Sequence, residues 1–339
     1  MVMSDCARES VVATGLINSP RSIAPDFRAA EAIASRDKNN LYRTSLFFRD
    51  RKRYQSFCAY YAIMRVVDDR IDSLPHRSVM SWAGIAEEER VLAAWQQAVD
   101  AAYVGRKIGV DELDHPDADD LVSALLQAFI EFPAPIALWR NFFGAMRRDL
   151  TGNRFRDYED FLDYAEGASV APTTLYLYLL TGQPSSLGYV PPRRFDIGAC
   201  GRALGRFAYI GHILRDLPQD LEAVDGGLLY LTEDDMTRHR VTTASLFEGL
   251  RIRHSDCNVR SLVRELIERA RVELHAGRGL CAAIEGRIPP DCAFILRLIV
   301  RIYERVLDRI EECDWDPMQR RHYLSDAEKK AIALECTRA

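Results

Sequence analysis

The sequence lacks any apolar run close to the roughly 20 residues that a helix needs to cross a bilayer. Residues 1–30 also lack the pattern of a secretory signal, in which a positive segment precedes an apolar one. These absences predict a cytoplasmic protein whose contact with membranes is at most peripheral. We expect residues 1–37 to form a loose polar leader and residues 38–339 to form one folded domain.

Paired cysteine motifs are absent too. The eight cysteines are scattered without a CxxC pair, and several of them stand among apolar residues. This usage indicates reduced thiols, as expected in the cytoplasm.

An excess of positive charge is also lacking. Lys and Arg number 45 against 50 Asp and Glu, so the formal net charge is −5. Binding to a phosphate backbone usually needs a basic excess, and we therefore expect no nucleic-acid partner.

Strand-like patterns are scarce, because few β-branched alternating runs are bounded by turn pairs. From Asn39 onward nearly every segment carries apolar residues at helical spacing, and 48% of the chain is hydrophobic. The sequence therefore predicts an all-α fold with a sizeable core. We predict helices at residues 39–47, 51–73, 86–104, 118–131, 135–150, 157–181, 192–217, 234–238, 258–285 and 289–312.

Three carboxylates follow an apolar stretch in "VVDDRIDS", residues 66–73. Asp68 and Asp72 stand at i and i+4, where like charges on one helix face repel by a few tenths of a kcal/mol. The negative end of the helix dipole adds to this repulsion. Mg²⁺ relieves both effects, since it binds one or two carboxylates together with substrate phosphates. The alternative is a solvated acidic helix end with Arg65 and Arg70 as ion-pair partners.

A second cluster repeats this arrangement in "FAYIGHILRDLPQDLE", residues 207–222. Here an apolar helix ends in Asp216 and Asp220, again at i and i+4. Two such pairs at the ends of two buried helices can face each other and hold several Mg²⁺ ions, with arginines completing a diphosphate site. The repetition favours the metal interpretation and predicts chemistry in which diphosphate is lost.

Together these stretches resemble the two aspartate-rich motifs of the squalene/phytoene synthase family. The first motif is matched by "YYAIMRVVDDRID" (60–72) and the second by "LGRFAYIGHILRDLPQDLE" (204–222). The resemblance runs from about residue 38 to the end of the chain. Further stretches match in family order: "GAMRRDL" (144–150), "YEDFLDYAEGASVAP" (158–172), "GGLLYLTEDDM" (226–236) and "IYERVLDRIEECDWDPMQRRHYLSDAEKK" (302–330).

The resemblance implies a single-domain isoprenoid synthase bundle around a deep central cavity, with metal and diphosphates at its mouth and prenyl tails inside. It implies head-to-head condensation of two farnesyl or geranylgeranyl diphosphates. One substrate ionises, the double bond of the other attacks its allylic cation, and a cyclopropyl diphosphate forms. A second ionisation yields a phytoene-, dehydrosqualene- or squalene-type hydrocarbon. Two or three Mg²⁺ ions are the implied cofactors.

The resemblance also implies roles for individual residues. The metal ligands, which include the catalytic carboxylates, would be Asp68, Asp72, Asp216 and Asp220, with Asp69 as a secondary candidate. Diphosphate would be bound by Arg65, Arg215, Arg321 and His212. Tyr61 and Tyr303 would act as catalytic tyrosines beside the diphosphate.

Several positions depart from the family pattern. Tyr209 and His212 stand where the second motif of the family has Gln and Asn. A neutral His is a poor Mg²⁺ ligand but can donate to phosphate, so both a site role and a core role stay open for His212. Pro218, between the two aspartates of the second cluster, is expected to kink or end the helix.

Two more departures concern the bend and the cofactor. The stretch "ASVAPTT" (168–174) lacks the glycines with which the family bends this helix, which leaves Pro172 as the evident bend-forming residue. Leu228 and Thr232 replace an Arg and a Pro of the family, so a charge linked to diphosphate or reductant handling is missing. The sequence therefore disfavours NADPH as a cofactor.

Two alternative functions stay open. The altered second motif is compatible with a related terpene synthase that stops at a cyclopropyl diphosphate, a prenyl alcohol or a cyclised product. The stretch "YAEGASVAP" also resembles non-catalytic assembly factors of the same fold. Those proteins have typically lost aspartates that this chain keeps, so we rank this alternative last.

Apolar and basic stretches give expectations about the substrate tails and the membrane. "LYLYLL" (175–180) and "FILRLIVRIY" (294–303) are predicted to wall the cavity. "RDRKR" (49–53) is compatible with attraction to anionic substrates or to a membrane surface, although a solvated helix start is the simpler interpretation. An apolar product would leave into a membrane. The sequence fixes neither the substrate length nor the oligomeric state.

Overall fold

The chain folds into a bundle of α-helices, which a computed structural model describes over residues 27–36, 39–74, 80–152, 154–222, 230–320 and 322–338. The helices of the first half are α1 (Arg28–Ser35), α2 (Asn40–Ser45), α3 (Arg51–Asp72), α4 (Trp82–Tyr103), α5 (Ala118–Glu131), α6 (Ile136–Thr151) and α7 (Tyr158–Ala165). Those of the second half are α8 (Ala171–Thr181), α9 (Ile197–Glu222), α10 (Glu233–Arg238), α11 (Thr243–Ile252), α12 (Cys257–Glu285), α13 (Pro290–Glu311) and α14 (Asp326–Arg338). The all-α prediction is confirmed.

Short elements connect some of these helices. A 3₁₀ turn spans Asp111–Leu113, and a π-helical turn spans Glu166–Val170. An antiparallel hairpin pairs β1 (Gln183–Ser185) with β2 (Gly188–Val190). Within the described part of the chain, every helix is too short or too polar to span a bilayer.

Helix α3 is central because most of its length is apolar on more than one face. It packs against α1 and α5, and Phe57, Ile63 and Val67 are buried. The carboxylate of Asp50 caps its start by accepting a hydrogen bond from the backbone N–H of Lys52 at 2.9 Å. The predicted range of 51–73 matches this helix within one residue.

Helix α9 packs tightly on α12 because a glycine opens the contact. A Cβ at Gly277 would lie 2.5 Å from Leu204 Cδ2, so only the missing side chain allows this approach. The predicted helix end at residue 217 is wrong, because α9 continues through Pro218 to Glu222. Proline so close to a helix end removes one backbone hydrogen bond, and the last turn tolerates that loss.

The single helix predicted at residues 157–181 is interrupted. Instead of a proline kink, the π-helical turn separates α7 from α8, while Pro172 lies in the first turn of α8. Gly167 in this turn touches the backbone carbonyl of Asn141 so closely that no Cβ fits there. The irregular turn of this helix therefore contains Gly167, whereas the sequence suggested Pro172 as the residue that disturbs the helix.

Several elements were missed by the sequence analysis, namely α1, α11, α14 and the hairpin. Most of the expected leader, residues 1–37, lies outside the described residues. Its last part forms α1, whose residues Ala30, Ile33 and Ala34 are buried against the bundle. Helices α1 and α11, of 8 and 10 residues, are shorter than the window of about 11 to 18 residues over which helical periodicity is recognised.

Candidate functional site

The two predicted aspartate clusters lie at the C-terminal ends of α3 and α9, and their charges interact across the bundle. Burial raises the pKa of Asp220 to about 7, with further contributions from Asp216 and from Asp72 on the other helix. In the other direction, the charge of His212 on α9 lowers the pKa of Asp72 and so offsets part of its rise. The two clusters are therefore close enough for their charges to affect each other.

In the first cluster Arg65 is shared between two carboxylates. Its guanidinium pairs with Asp69 and lies 3.6 Å from an oxygen of Asp68. Arg36 lies 3.8 Å from Asp69 on the other side. Asp69 therefore has two cationic partners, which suits it to holding Arg65 in place.

The crowding of carboxylates in this cluster affects the pKa of Asp68. Although 40% of its side chain is exposed, the surrounding protein raises its pKa to about 7, and repulsion from Asp72 adds to the effect. Burial and repulsion from Asp69 likewise raise the pKa of Asp72. A divalent cation at this helix end would relieve the repulsion.

In the second cluster Asp216 is held by three side chains. It accepts hydrogen bonds from Arg215 Nε at 2.7 Å and from Tyr323 Oη at 2.6 Å, and His212 Nε2 lies 2.8 Å from its other oxygen. Burial alone would raise the pKa of Asp216, but these contacts outweigh it and lower the pKa well below its usual range. Asp216 is thus ionised and fixed in orientation, whereas Asp220 is close to its titration point near neutral pH.

The structure places His212 and Tyr303 at this cluster as well. His212 is paired with Asp216, which excludes the core role that was left open for it. Tyr303 is partly buried. Loss of contact with water raises the pKa of its hydroxyl, and the charge of nearby Arg215 lowers it.

Of the other residues discussed from the sequence, Tyr61 has defined contacts. Tyr61 accepts a hydrogen bond from the side-chain amide of Asn39 and stacks on Phe57, with ring centroids 5.4 Å apart. It lies on α3 two turns before Asp68. Arg321 and Leu228 lie outside the described residues.

Sequence reasoning missed a fourth carboxylate, which lies beside the three of the first cluster. Asp149 of α6 is buried and accepts hydrogen bonds from Tyr164 Oη at 2.8 and 2.9 Å. Its charge contributes to the raised pKa of Asp68, so the two groups are near each other. The signal was the stretch "GAMRRDL", in which the aspartate was not singled out because it has no partner at helical spacing.

An aromatic cluster adjoins these carboxylates. Tyr209, where the family pattern has Gln, stacks on Phe161 at 5.8 Å and lies 6.0 Å from both Tyr164 and Tyr230, measured between ring centroids. Phe161 and Tyr230 of this cluster also line a small apolar pocket of about 10 Å³ between α7, α9 and α12. This substitution therefore replaces an amide with aromatic surface beside the site.

The donor set fits Mg²⁺ bound together with a phosphate. In the described ranges no three His, Cys, Asp or Glu side chains converge closely enough to hold a metal ion by themselves. The oxygens of Asp68, Asp72, Asp216 and Asp220 are hard ligands spread over two helix ends. Mg²⁺ takes only one or two carboxylates and completes its shell with water and substrate phosphates, so this spread is compatible with it.

Comparison with known proteins relates the chain to synthases of isoprenoid hydrocarbons. Residues 34–328 match the sequence model of the family described as squalene/phytoene synthase. Phytoene synthase 1 from Solanum lycopersicum is 25% identical over 309 residues, which are 91% of this chain and 66% of that protein. Phytoene synthase from Arthrospira platensis is 23% identical over 318 residues, which are 91% of this chain and 91% of that protein. The chain spans about two thirds or less of the length of the first chloroplastic relatives.

Solved structures show the same fold. A dehydrosqualene synthase in complex with ligand superposes with a TM-score of 0.69 at 23% identity, covering 92% of this chain and 95% of that one. A squalene synthase from Alicyclobacillus acidocaldarius gives a TM-score of 0.66 at 20% identity, with 86% and 95% covered. With the family motifs in sequence order and the helices arranged in this way, the chain belongs to the squalene/phytoene synthase family, whose members are prenyltransferases.

Proposed function

We propose that this protein condenses two prenyl diphosphates head to head with release of diphosphate. The observation that supports the proposal best is the pair of aspartate clusters at the ends of α3 and α9, which are close enough for Asp72 to affect the pKa of Asp220. Each cluster has an arginine beside it, Arg65 or Arg215. Paired carboxylates and guanidinium groups are the side chains that a metal-bound diphosphate requires.

The proposed substrates are two molecules of farnesyl or two of geranylgeranyl diphosphate. In the first step one substrate loses diphosphate and its C1 bonds to the double bond of the other, giving a cyclopropyl diphosphate with loss of a proton. In the second step that intermediate loses the remaining diphosphate, rearranges as a carbocation and loses a second proton, which gives a C30 or C40 hydrocarbon of the dehydrosqualene or phytoene type. Names of several relatives, phytoene synthase among them, favour this product class.

The side chains of the site have distinct tasks in this scheme. Asp68, Asp72, Asp216 and Asp220 would hold Mg²⁺, which neutralises the charge of the departing diphosphate when bound. Among the described residues, Arg215 donates two N–H groups to Asp216, which leaves its other three N–H groups for phosphate oxygens. Asp69 keeps Arg65 oriented toward the same site.

The aromatic cluster has a separate task. Tyr164, Tyr209 and Tyr230 pack against one another, and the Tyr164 hydroxyl donates to Asp149. Their rings would keep water away from this part of the site. Aromatic faces stabilise passing cations, and a dry site prevents their capture by water. Tyr209 makes this lining larger than the family pattern does, which is the observation that favours a second candidate function, early termination of the reaction.

NADPH is not part of the proposed reaction. Thr232, at the position where the family has Pro, is buried and accepts a hydrogen bond from the backbone N–H of Asp235 at 3.1 Å, so it serves as the N-cap of α10. A capping threonine offers no charge for a reductant. We therefore expect the same products with and without NADPH.

The direct test is incubation of the purified protein with Mg²⁺ and C15 or C20 prenyl diphosphate, followed by mass spectrometry of the extract. The proposal predicts an oxygen-free C30 or C40 dimer. Diphosphate release with a cyclopropyl diphosphate, an alcohol or a cyclic terpene would support the second candidate instead. If the protein releases no diphosphate and forms no dimer, the result contradicts catalysis and favours an assembly role.

A further inference from the structure

Asp216 accepts more hydrogen bonds than the other aspartates of the two clusters. Arg215 Nε and Tyr323 Oη donate to its Oδ1 at 2.7 and 2.6 Å. Arg215 Nη2 donates to its Oδ2, and His212 Nε2 lies 2.8 Å from the same oxygen. Because a nitrogen this close to a carboxylate oxygen has to carry a hydrogen, His212 is a donor as well. Each oxygen of Asp216 therefore accepts two hydrogen bonds.

These bonds use the whole acceptor capacity of the Asp216 carboxylate. An ionised carboxylate has about four lone-pair sites on its two oxygens. A cation that coordinates one of these oxygens needs a lone pair, so it can bind Asp216 only when a donor leaves. Asp72 and Asp220 differ, since the described side chains act on them through charge and donate no hydrogen bond to them. Their oxygens can bind a cation without such an exchange.

Tyr323 is the donor that can leave Asp216 with the smallest loss. Its hydroxyl carries one hydrogen, and Gln219 Oε1 lies 2.9 Å from its Oη as a second acceptor. Among the described residues, neither Arg215 nor His212 has a second acceptor within hydrogen-bond distance. The Tyr323 hydroxyl can therefore exchange Asp216 for Gln219 and keep its hydrogen bonded.

The backbone of Tyr323 is fixed, while its side chain is accessible. Arg309 Nη1 donates to the Tyr323 carbonyl oxygen at 2.7 Å, and the neighbours His322 and Leu324 are buried. Tyr323 itself is 43% exposed. Movement of its hydroxyl away from Asp216 therefore requires a rotation of the side chain and no rearrangement of the backbone.

We propose that Tyr323 is a positioning residue that controls the access of Mg²⁺ to Asp216. Its hydroxyl occupies one lone-pair site on Asp216 Oδ1 and turns to Gln219 when a cation binds there. The inference rests on the proposed function, because it requires Asp216 to be a metal ligand. It deepens that function by identifying the hydrogen bond that Asp216 gives up for the metal.

The test measures the binding of Mg²⁺ in the presence of inorganic diphosphate by isothermal titration calorimetry, with a titration without protein as the blank. Tyr323→Phe removes the hydroxyl but keeps the ring, whose centroid lies 4.9 Å from the Arg215 guanidinium carbon. We expect the Kd for Mg²⁺ to fall about tenfold, because metal binding to this variant no longer breaks a hydrogen bond to a charged group. A hydroxyl that only stabilised the site would give weaker binding in the variant.

Two further measurements separate metal access from stability. In EDTA, Tyr323→Phe should melt at a lower temperature than the unmodified protein, since Asp216 has lost a donor. In an Asp216→Asn background, adding Tyr323→Phe should leave the Kd for Mg²⁺ unchanged, because the effect acts through the carboxylate. Tyr103→Phe, at an exposed tyrosine of α4, is the matched control and should change neither quantity. Circular dichroism should show every variant folded.

The inference is overturned if Tyr323→Phe binds Mg²⁺ more weakly than, or equally to, the unmodified protein. The same gain in the Asp216→Asn background or in Tyr103→Phe also overturns it. If neither the unmodified protein nor Tyr323→Phe binds Mg²⁺ with diphosphate, the metal role of Asp216 fails and the inference fails with it. Prenyl dimers are assayed separately, so tighter Mg²⁺ binding in Tyr323→Phe without any dimer overturns the proposed reaction alone.

Discussion

At the scale of residues, the site combines carboxylates with opposite electrostatic settings. Asp216 is ionised because Arg215 and His212 lower its pKa, whereas Asp68 and Asp220 have pKa values raised to about 7. The sequence predicted which aspartates come together. It could not predict which of their pKa values are lowered and which are raised, because Tyr323 and Asp149 reach the site from distant parts of the chain.

The raised pKa values predict how stability depends on pH and Mg²⁺. Asp68 and Asp220 have folded-state pKa values near 7, above the ordinary value of 3.8, so their stabilising contribution is present below pH 4 and is lost as the pH rises through 7. Mg²⁺ binds the ionised form. We therefore expect Mg²⁺ to raise the melting temperature more at pH 8 than at pH 6 when compared with EDTA.

The control for this prediction is Asp68→Asn with Asp220→Asn. In metal-free buffer its melting temperature should change less between pH 6 and pH 8 than that of the unmodified protein. An equal Mg²⁺ effect at both pH values would show that these carboxyls do not titrate in this range.

Tyr164 allows a second test of the site. Tyr164→Phe removes the hydroxyl that donates to buried Asp149, and we expect a loss of about 1 to 3 kcal/mol in the free energy of unfolding. Tyr103→Phe at the surface should change it by less than about 0.5 kcal/mol. Urea unfolding followed by circular dichroism measures both, and equal effects would argue against the Asp149 contact.

At the scale of elements, long amphipathic helices were predictable and local irregularities were not. The bounds of α3, α12 and α13 were predicted within one residue, since each has a long apolar pattern. The π-helical turn at Glu166–Val170 was missed because its cause is a contact with another helix. Tertiary packing, which a sequence pattern does not contain, decided that element.

The π-helical turn depends on Gly167 in a way that can be measured. Gly167→Ala forces a Cβ against the Asn141 carbonyl, and we expect a loss of about 1 to 3 kcal/mol in the free energy of unfolding. Gly144→Ala on α6 is the matched control, because no atom lies within 4 Å of its added Cβ. The control should be neutral or slightly stabilising. Similar losses in both variants would contradict the close approach.

The contact between α9 and α12 brings two thiols together. Cys200 Sγ and Cys281 Sγ are 3.8 Å apart although 81 residues separate them, and both are free thiols, as are the other cysteines in the described residues. Diamide should therefore link them within one chain, and peptide mapping should find the two cysteine peptides joined with the loss of two hydrogens. Cys200→Ser should abolish the link. Oxidised monomer without this link would contradict the helix register.

At the scale of the whole molecule, the sequence was sufficient for fold class and family. Two aspartate motifs on buried helices predicted a helical bundle of this family, and the match over residues 34–328 confirms the family. The diphosphate site stays a prediction.

The central claim is that the facing aspartate clusters catalyse loss of diphosphate from two prenyl chains. The measurement that tests it most directly compares the unmodified protein with Asp72→Asn and Asp216→Asn, each supplied with Mg²⁺ and prenyl diphosphate, by counting diphosphate released per dimer formed. The account predicts two diphosphates per hydrocarbon dimer and a loss of at least about a hundredfold in rate for each folded variant. Unchanged rates in both folded variants would contradict it.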